Sequence, residues 1–85
     1  MEIVFRRTFK KQFKKLSPKV QAQFSARLKL LLNEKNHPLL KVHLLRGAKY
    51  PMQSMNITGD YLAIFIISET VVTFYEIGTH SELYE

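Results

Sequence analysis

Tyr61-Leu62-Ala63-Ile64-Phe65-Ile66-Ile67 is apolar at every position. A strand covered on both faces needs such a run, and it belongs at the centre of a sheet. The run is also far too short to cross a bilayer, which takes about 20 residues as a helix. On its C-terminal side, Ser68-Glu69-Thr70 is a turn into Val71-Val72-Thr73-Phe74-Tyr75-Glu76-Ile77, a further strand. On its N-terminal side, Thr58-Gly59-Asp60 has turn chemistry. Before that turn, Met55 and Ile57 alternate with Ser54 and Asn56, which predicts a strand with one polar face. Consecutive strands joined by turns this short are antiparallel neighbours.

The first half has a different period. Glu2-Ile3-Val4-Phe5 is short and β-branched and reads as a strand. Thr8 is the expected cap of a helix in which Phe9, Phe13 and Leu16 recur at helical spacing, with Lys10, Lys11, Lys14 and Lys15 on the other face. Pro18 disfavours helical geometry at Ser17, so that helix stops near Leu16. The same pair starts a second helix, Ser17 as N-cap and Pro18 at the first helical position. Val20, Phe24, Leu28 and Leu31 form its apolar stripe, with Lys19, Arg27 and Lys29 displaced from it. Asn36-His37-Pro38 is expected to end it, with His37 as a C-terminal cap. The order is β-α-α-β-β-β. That is an α+β fold, a helical hairpin on a mostly antiparallel four-stranded sheet, in one domain spanning residues 1–85.

The chain closes on Gly78-Thr79-His80-Ser81-Glu82-Leu83-Tyr84-Glu85. Thr79 followed three residues later by Glu82 fits a capping box, which predicts a helical turn beginning at His80. The alternative is that Gly78-Thr79 leaves the sheet and the tail frays.

Charge divides along the same line. Residues 1–49 carry all 13 Lys and Arg against two acids, a net +11, while residues 50–85 hold five acids and no base. Two readings of the basic half stand side by side. It is a polyanion-binding surface, since neutralising phosphates releases counterions, or it is a solvated helix face on which Lys10–Lys14 and Lys11–Lys15 merely repel. Glu34 is the only acid between Thr8 and Lys49, which favours the first, because an unselected surface mixes both signs. With no cysteine, a disulfide framework and thiolate metal sites are excluded. The N-terminus lacks the apolar core of a signal peptide, so the expected setting is the cytoplasm.

The three histidines, His37, His43 and His80, show no pairing at a metal-site spacing, so neither metal nor cofactor is expected. His80 stands at the start of the short helical turn, where backbone N–H groups attract phosphate. Tyr84, four residues on, shares its face and suits stacking on a nucleobase. An ordinary exposed histidine is an equal reading of His80 on periodicity alone.

These pieces together carry a resemblance. The element order, the Lys-rich hairpin, His43-Leu44-Leu45-Arg46-Gly47, Asn56-Ile57-Thr58-Gly59-Asp60-Tyr61 and the ending Ile77-Gly78-Thr79-His80-Ser81-Glu82-Leu83-Tyr84 resemble the RelE/ParE toxin superfamily, nearest its YafQ-like branch of mRNA interferases. The resemblance covers almost the whole chain. It implies a toxin of a type II toxin–antitoxin pair that cuts mRNA in the ribosomal A site without metal and is silenced by a cognate antitoxin. It places His43, Asp60, Tyr61, His80 and Tyr84 on the branch's functional positions. Asn56 stands where the best-known members carry a catalytic histidine, and Gln53 replaces an arginine often found on that strand. Asparagine can hold a substrate but cannot exchange a proton near neutrality.

RNA cleavage needs a base at the 2′-OH, an acid at the leaving 5′-oxygen and cations around the phosphorus, and histidine suits either proton role. The expected set is therefore His80 as acid and His43 as base, oriented by or alternating with Asp60. Arg46 and Lys49 would stabilise the phosphorane, Tyr61 and Tyr84 would position bases and Asn56 would hold RNA, with Lys10, Lys11, Lys14 and Lys15 as a docking surface. Asp60 has an equal reading as a turn residue. Two other functions stay open: a ParE-like inhibitor of DNA gyrase, against which His43, Asp60 and His80 count, and a weakened toxin that only binds antitoxin or RNA. The expected partners are the ribosome, mRNA and an antitoxin with an acidic, partly disordered segment folding over the hairpin or the sheet groove.

Overall fold

The computed structural model describes residues 1–84. Its elements are β1 (Glu2–Phe5), α1 (Arg7–Lys14), α2 (Pro18–Asn33), β2 (His43–Leu44), β3 (Gln53–Thr58), β4 (Tyr61–Ser68), β5 (Val71–Thr79) and α3 (His80–Tyr84), with 3-10 turns at Pro38–Leu40 and Gly47–Lys49. The sheet has five strands in the order β1-β5-β4-β3-β2. β1 is parallel to β5, and every other neighbouring pair is antiparallel. The α+β arrangement is as the sequence predicts, and the apolar run 61–67 does form the central strand. The extra strand is His43–Leu44, which at two residues is too short to show an alternation.

Helices cover one face of the sheet. Phe9, Val20, Phe24 and Leu31 pack there against Met55, Ile57, Ala63, Phe65, Val72, Phe74 and Ile77. All six phenylalanines of the chain join one ring network, Phe5, Phe9, Phe13, Phe24, Phe65 and Phe74, with neighbouring centroids 5.2–6.3 Å apart. Each such contact contributes about 0.5–1.5 kcal/mol beyond the area it buries. Phe74 touches four of the other five rings and so ties β5 to both helices, to β1 and to β4.

Helix ends correct several expectations. Arg6, in extended geometry, is the N-cap of α1 and makes no side-chain capping bond, so Thr8 lies inside the first turn and caps nothing. Ser17 caps α2 as expected, its Oγ accepting from the Val20 N–H at 3.3 Å. That helix ends at Asn33, before the Asn-His-Pro sequence, since Glu34 has already left helical geometry. His37 therefore caps the N-terminus of the next 3-10 turn, its Nδ1 accepting from the Leu39 N–H at 3.1 Å.

An irregularity in the sheet decides which side chains share a face. In β5, Tyr75 is an extra residue between the register pairs Phe65–Phe74 and Ile64–Glu76. Val72 and Phe74 face the helices, and so does Ile77, three residues after Phe74. The bulge thus turns Glu76 to the face opposite α1 and α2, whereas strict alternation would have buried it under α1. A second register shift lies between Asn56 and Thr58, while Ile57 joins the core beside Met55, two residues earlier, by ordinary alternation. From α1, the Gln12 side chain accepts the Ile77 N–H at 2.8 Å and fastens the helix to the bulged strand.

Candidate active site

The face opposite α1 and α2 carries a row set by register. His43 is opposite Ser54, Ser54 opposite Ile64 and Ile64 opposite Glu76. Residues directly opposite one another point the same way. Ser54 and Ile64 are buried, so this face is not the solvated polar surface that alternation in β3 suggests. The loop between β2 and β3 reaches across it: Leu45 N–H bonds to the Met52 carbonyl at 2.8 Å, and Lys49 near its tip arrives over β5. Gly47 adopts φ +67, a left-handed conformation that permits the tight reversal before Lys49.

Lys49 Nζ lies 3.0 Å from Glu76 Oε2, with the two side chains 27% and 28% exposed. The same ammonium sits 5.9 Å from the centroid of the Tyr84 ring, a cation–π arrangement. Tyr84 in turn meets His80, with ring centroids 4.6 Å apart. The four side chains make a continuous line from β5 through the loop to α3: carboxylate, ammonium, phenol, imidazole.

α3 owes its position to local chemistry. Thr79 N–H bonds to Glu82 Oε1 at 2.7 Å, and Glu82 N–H bonds back to Thr79 Oγ1 at 3.2 Å, the capping box expected from the sequence. The tail therefore does not leave the sheet unfixed. Gly78 lies so close beneath this turn that a Cβ there would stand 2.9 Å from Glu82 Oε1. Leu83 is buried and anchors the turn, while His80 and Tyr84 remain exposed, Tyr84 at 38%.

The remaining candidates fall into three groups. Asp60, at the exposed tip of the β3–β4 hairpin, is brought to His80: its backbone carbonyl accepts the His80 N–H at 3.1 Å. Asn56 holds the same hairpin, its Nδ2 donating to the Gly59 carbonyl at 3.2 Å, so its amide already has a structural task. His43 is exposed at the sheet edge, three strand spacings or roughly 14 Å of backbone from Glu76. Arg46 is exposed beside Gly47. Tyr61 belongs to the other face, where it packs against the core and lines a cavity of about 230 Å³ with Gln12, Lys15, Leu16, Ile77 and Glu82. Lys10 and Lys14 also stand on the helix side, at the rim of an apolar groove of about 420 Å³ floored by Phe5, Phe9, Phe13, Phe24 and Leu28. Glu76 is the site residue that sequence reasoning missed. The one charged residue of β5 was a signal, but its facing depends on a bulge that alternation does not show.

A family model described as "Bacterial toxin of type II toxin-antitoxin system, YafQ" matches residues 1–85. The chain belongs to the YafQ toxin family. No functionally curated protein matches the sequence. Among solved structures, YafQ from E. coli strain BL21(DE3) is similar at TM-score 0.84 and 18% identity, over 99% of this chain and 98% of that one. The E. coli DinJ–YafQ toxin–antitoxin complex contains a chain similar at TM-score 0.82 and 19% identity, covering 99% and 97%. A YoeB/ParE toxin from Agrobacterium tumefaciens gives TM-score 0.80 at 13% identity, covering 94% and 99%. At these identities the likeness is one of fold, and it agrees with the α+β architecture described above. Within the YafQ family fold, the Lys49–Tyr84–His80 line occupies the face of the sheet opposite α1 and α2.

Proposed function

We propose that this toxin is an endoribonuclease that cuts mRNA on the ribosome by side-chain acid–base catalysis, without a metal, in the cytoplasm. The observation that carries the reading is the packing of His80 on Tyr84 with the Lys49 ammonium across the same ring. A proton donor, a stacking surface and a cation then stand together on an exposed face, where the donor and the cation meet two of the needs of phosphodiester cleavage and the ring can hold a base.

In the step we propose, the 2′-oxygen loses its proton to a base and attacks the adjacent phosphorus. The bond to the 5′-oxygen breaks, and protonated His80 gives its proton to that leaving oxygen. The products are a 2′,3′-cyclic phosphate and a 5′-hydroxyl. Lys49 balances charge on the phosphorane oxygens, and Tyr84 stacks on a base next to the scissile bond. Of the two base candidates, Asp60 has the better claim from position, since its backbone touches that of His80 and His43 stands across the sheet. The ribosome supplies the oriented substrate, and the exposed lysines of α1 supply the phosphate contacts that dock the toxin.

By analogy with E. coli YafQ, whose structure is known with DinJ, we take this chain to have a cognate antitoxin with an acidic segment. A second reading, a toxin with weakened cleavage that keeps its antitoxin, draws on Asn56: its amide is engaged by Gly59 and cannot exchange a proton.

Inducible expression with mapping of mRNA 5′ ends tests the reading. The intact toxin should give codon-phased cuts, and His80→Ala should lower cleavage by about 10²–10⁴-fold without a change in melting temperature. Cleavage by His80→Ala at the rate of the unsubstituted chain refutes the assignment. Growth arrest through DNA damage with intact mRNA points instead to gyrase.

A further inference from the structure

The Lys49–Glu76 contact is the single ion pair among the described residues of a chain with 13 basic side chains. The carboxylate in it sits where a phosphate-binding surface gains least from one. A negative charge beside the scissile phosphate repels it, and placing it there takes a strand bulge at Tyr75 that turns Glu76 away from the helices. Lysine, for its part, is a flexible point charge with three donors, and on an exposed loop it samples many rotamers. Held at 3.0 Å by Glu76, its Nζ is confined over the Tyr84 ring, within one ring of His80. One N–H is used by the carboxylate, and two remain for phosphate oxygens.

We infer that Glu76 is a positioning residue: it aims the Lys49 ammonium at the phosphate that His80 protonates, so that the loop cation is delivered from β5. This rests on the nuclease reading above. Glu76 does not touch RNA or move a proton. Its effect passes through Lys49, and the two substitutions must therefore be coupled.

The test is steady-state cleavage of mRNA on programmed ribosomes by Glu76→Gln, Glu76→Asp, Lys49→Ala and the double variant Lys49→Ala/Glu76→Gln. Glu76→Gln should lower kcat about tenfold while KM stays the same or falls, because a repulsive charge has been removed as the cation is released. Glu76→Asp should recover part of kcat. In the Lys49→Ala background, Glu76→Gln should have little further effect. The exchanged pair Lys49→Glu/Glu76→Lys should recover melting temperature but not kcat, since the ammonium no longer lies over Tyr84. An unchanged kcat with lower KM would mean that Glu76 only repels RNA, and an unchanged kcat with lower melting temperature would mean that the pair only holds the loop. Full loss by Glu76→Gln in the absence of Lys49 would mean that it acts alone. Each of these overturns the inference. Should the unsubstituted toxin cut no RNA, the nuclease reading itself fails. Acylation of Lys49 by an amine reagent, read by mass spectrometry, then still reports on the pair: labelling should rise severalfold in Glu76→Gln, and unchanged labelling refutes positioning.

Discussion

The two faces of the sheet are built on opposite plans. The helix face is a packed aromatic core, six phenylalanine rings locked between β1, β4, β5 and two helices, with exposed lysines on its outer surface. The other face has no helix layer. One loop and one short helix lie on it, and their polar side chains meet in a line, Glu76, Lys49, Tyr84 and His80. Stability is concentrated on one side, and candidate chemistry on the side left open. The difference teaches how an 85-residue chain makes room for a site: it fills one half of its sheet so completely that the other half is free for function.

Substitutions on either side should separate these roles. The largest effect is expected from Phe74→Ala, which removes the ring touching four others and should cost about 3–5 kcal/mol in denaturant unfolding. The surviving folded fraction should cleave with normal kcat, and a kcat loss beyond the loss of folded protein would break the division. Tyr84→Ala should do the reverse: stability within about 0.5 kcal/mol, because the residue is exposed, and cleavage reduced by about 10–100-fold through lost stacking. The two capping residues sharpen the contrast further. Ser17→Ala and Thr79→Ala should each cost about 1 kcal/mol in thermal unfolding, yet only Thr79→Ala should slow cleavage, because it loosens the turn that carries His80. The smallest effect belongs to Lys10→Gln/Lys14→Gln, which should leave kcat alone and flatten the log–log salt dependence of ribosome binding by about 1.4 if both lysines meet single-stranded phosphates. An unchanged slope would assign those lysines to a solvated face, or to a partner in the Phe-floored groove beside them.

The sequence already placed much of this. The all-apolar run 61–67 marked the central strand, the Ser17-Pro18 pair marked the break between helices, and Thr79 with Glu82 marked the terminal turn. Each signal is local, lying within a span that one element's own geometry controls. His80 and Tyr84 were legible together for the same reason, being four residues apart on one helical turn. Tyr61 was placed with Tyr84 by the resemblance, and the strand's alternation carries it to the opposite face. His37 was expected to cap the C-terminus of α2, but α2 ends at Asn33 and His37 instead caps the N-terminus of the next turn.

What the sequence by itself determined is the order of elements, the apolar stripe of each helix and the separation of a basic half from an acidic one, since these follow from period, turn chemistry and composition. Only the tertiary structure decided that Lys49 and Glu76, 27 residues apart, would meet across the sheet. Two long-range facts, a bulge that reverses the facing of β5 and a loop that crosses from one edge of the sheet to reach it, carry that contact. Neither leaves a mark in local periodicity, because each depends on which strands become neighbours.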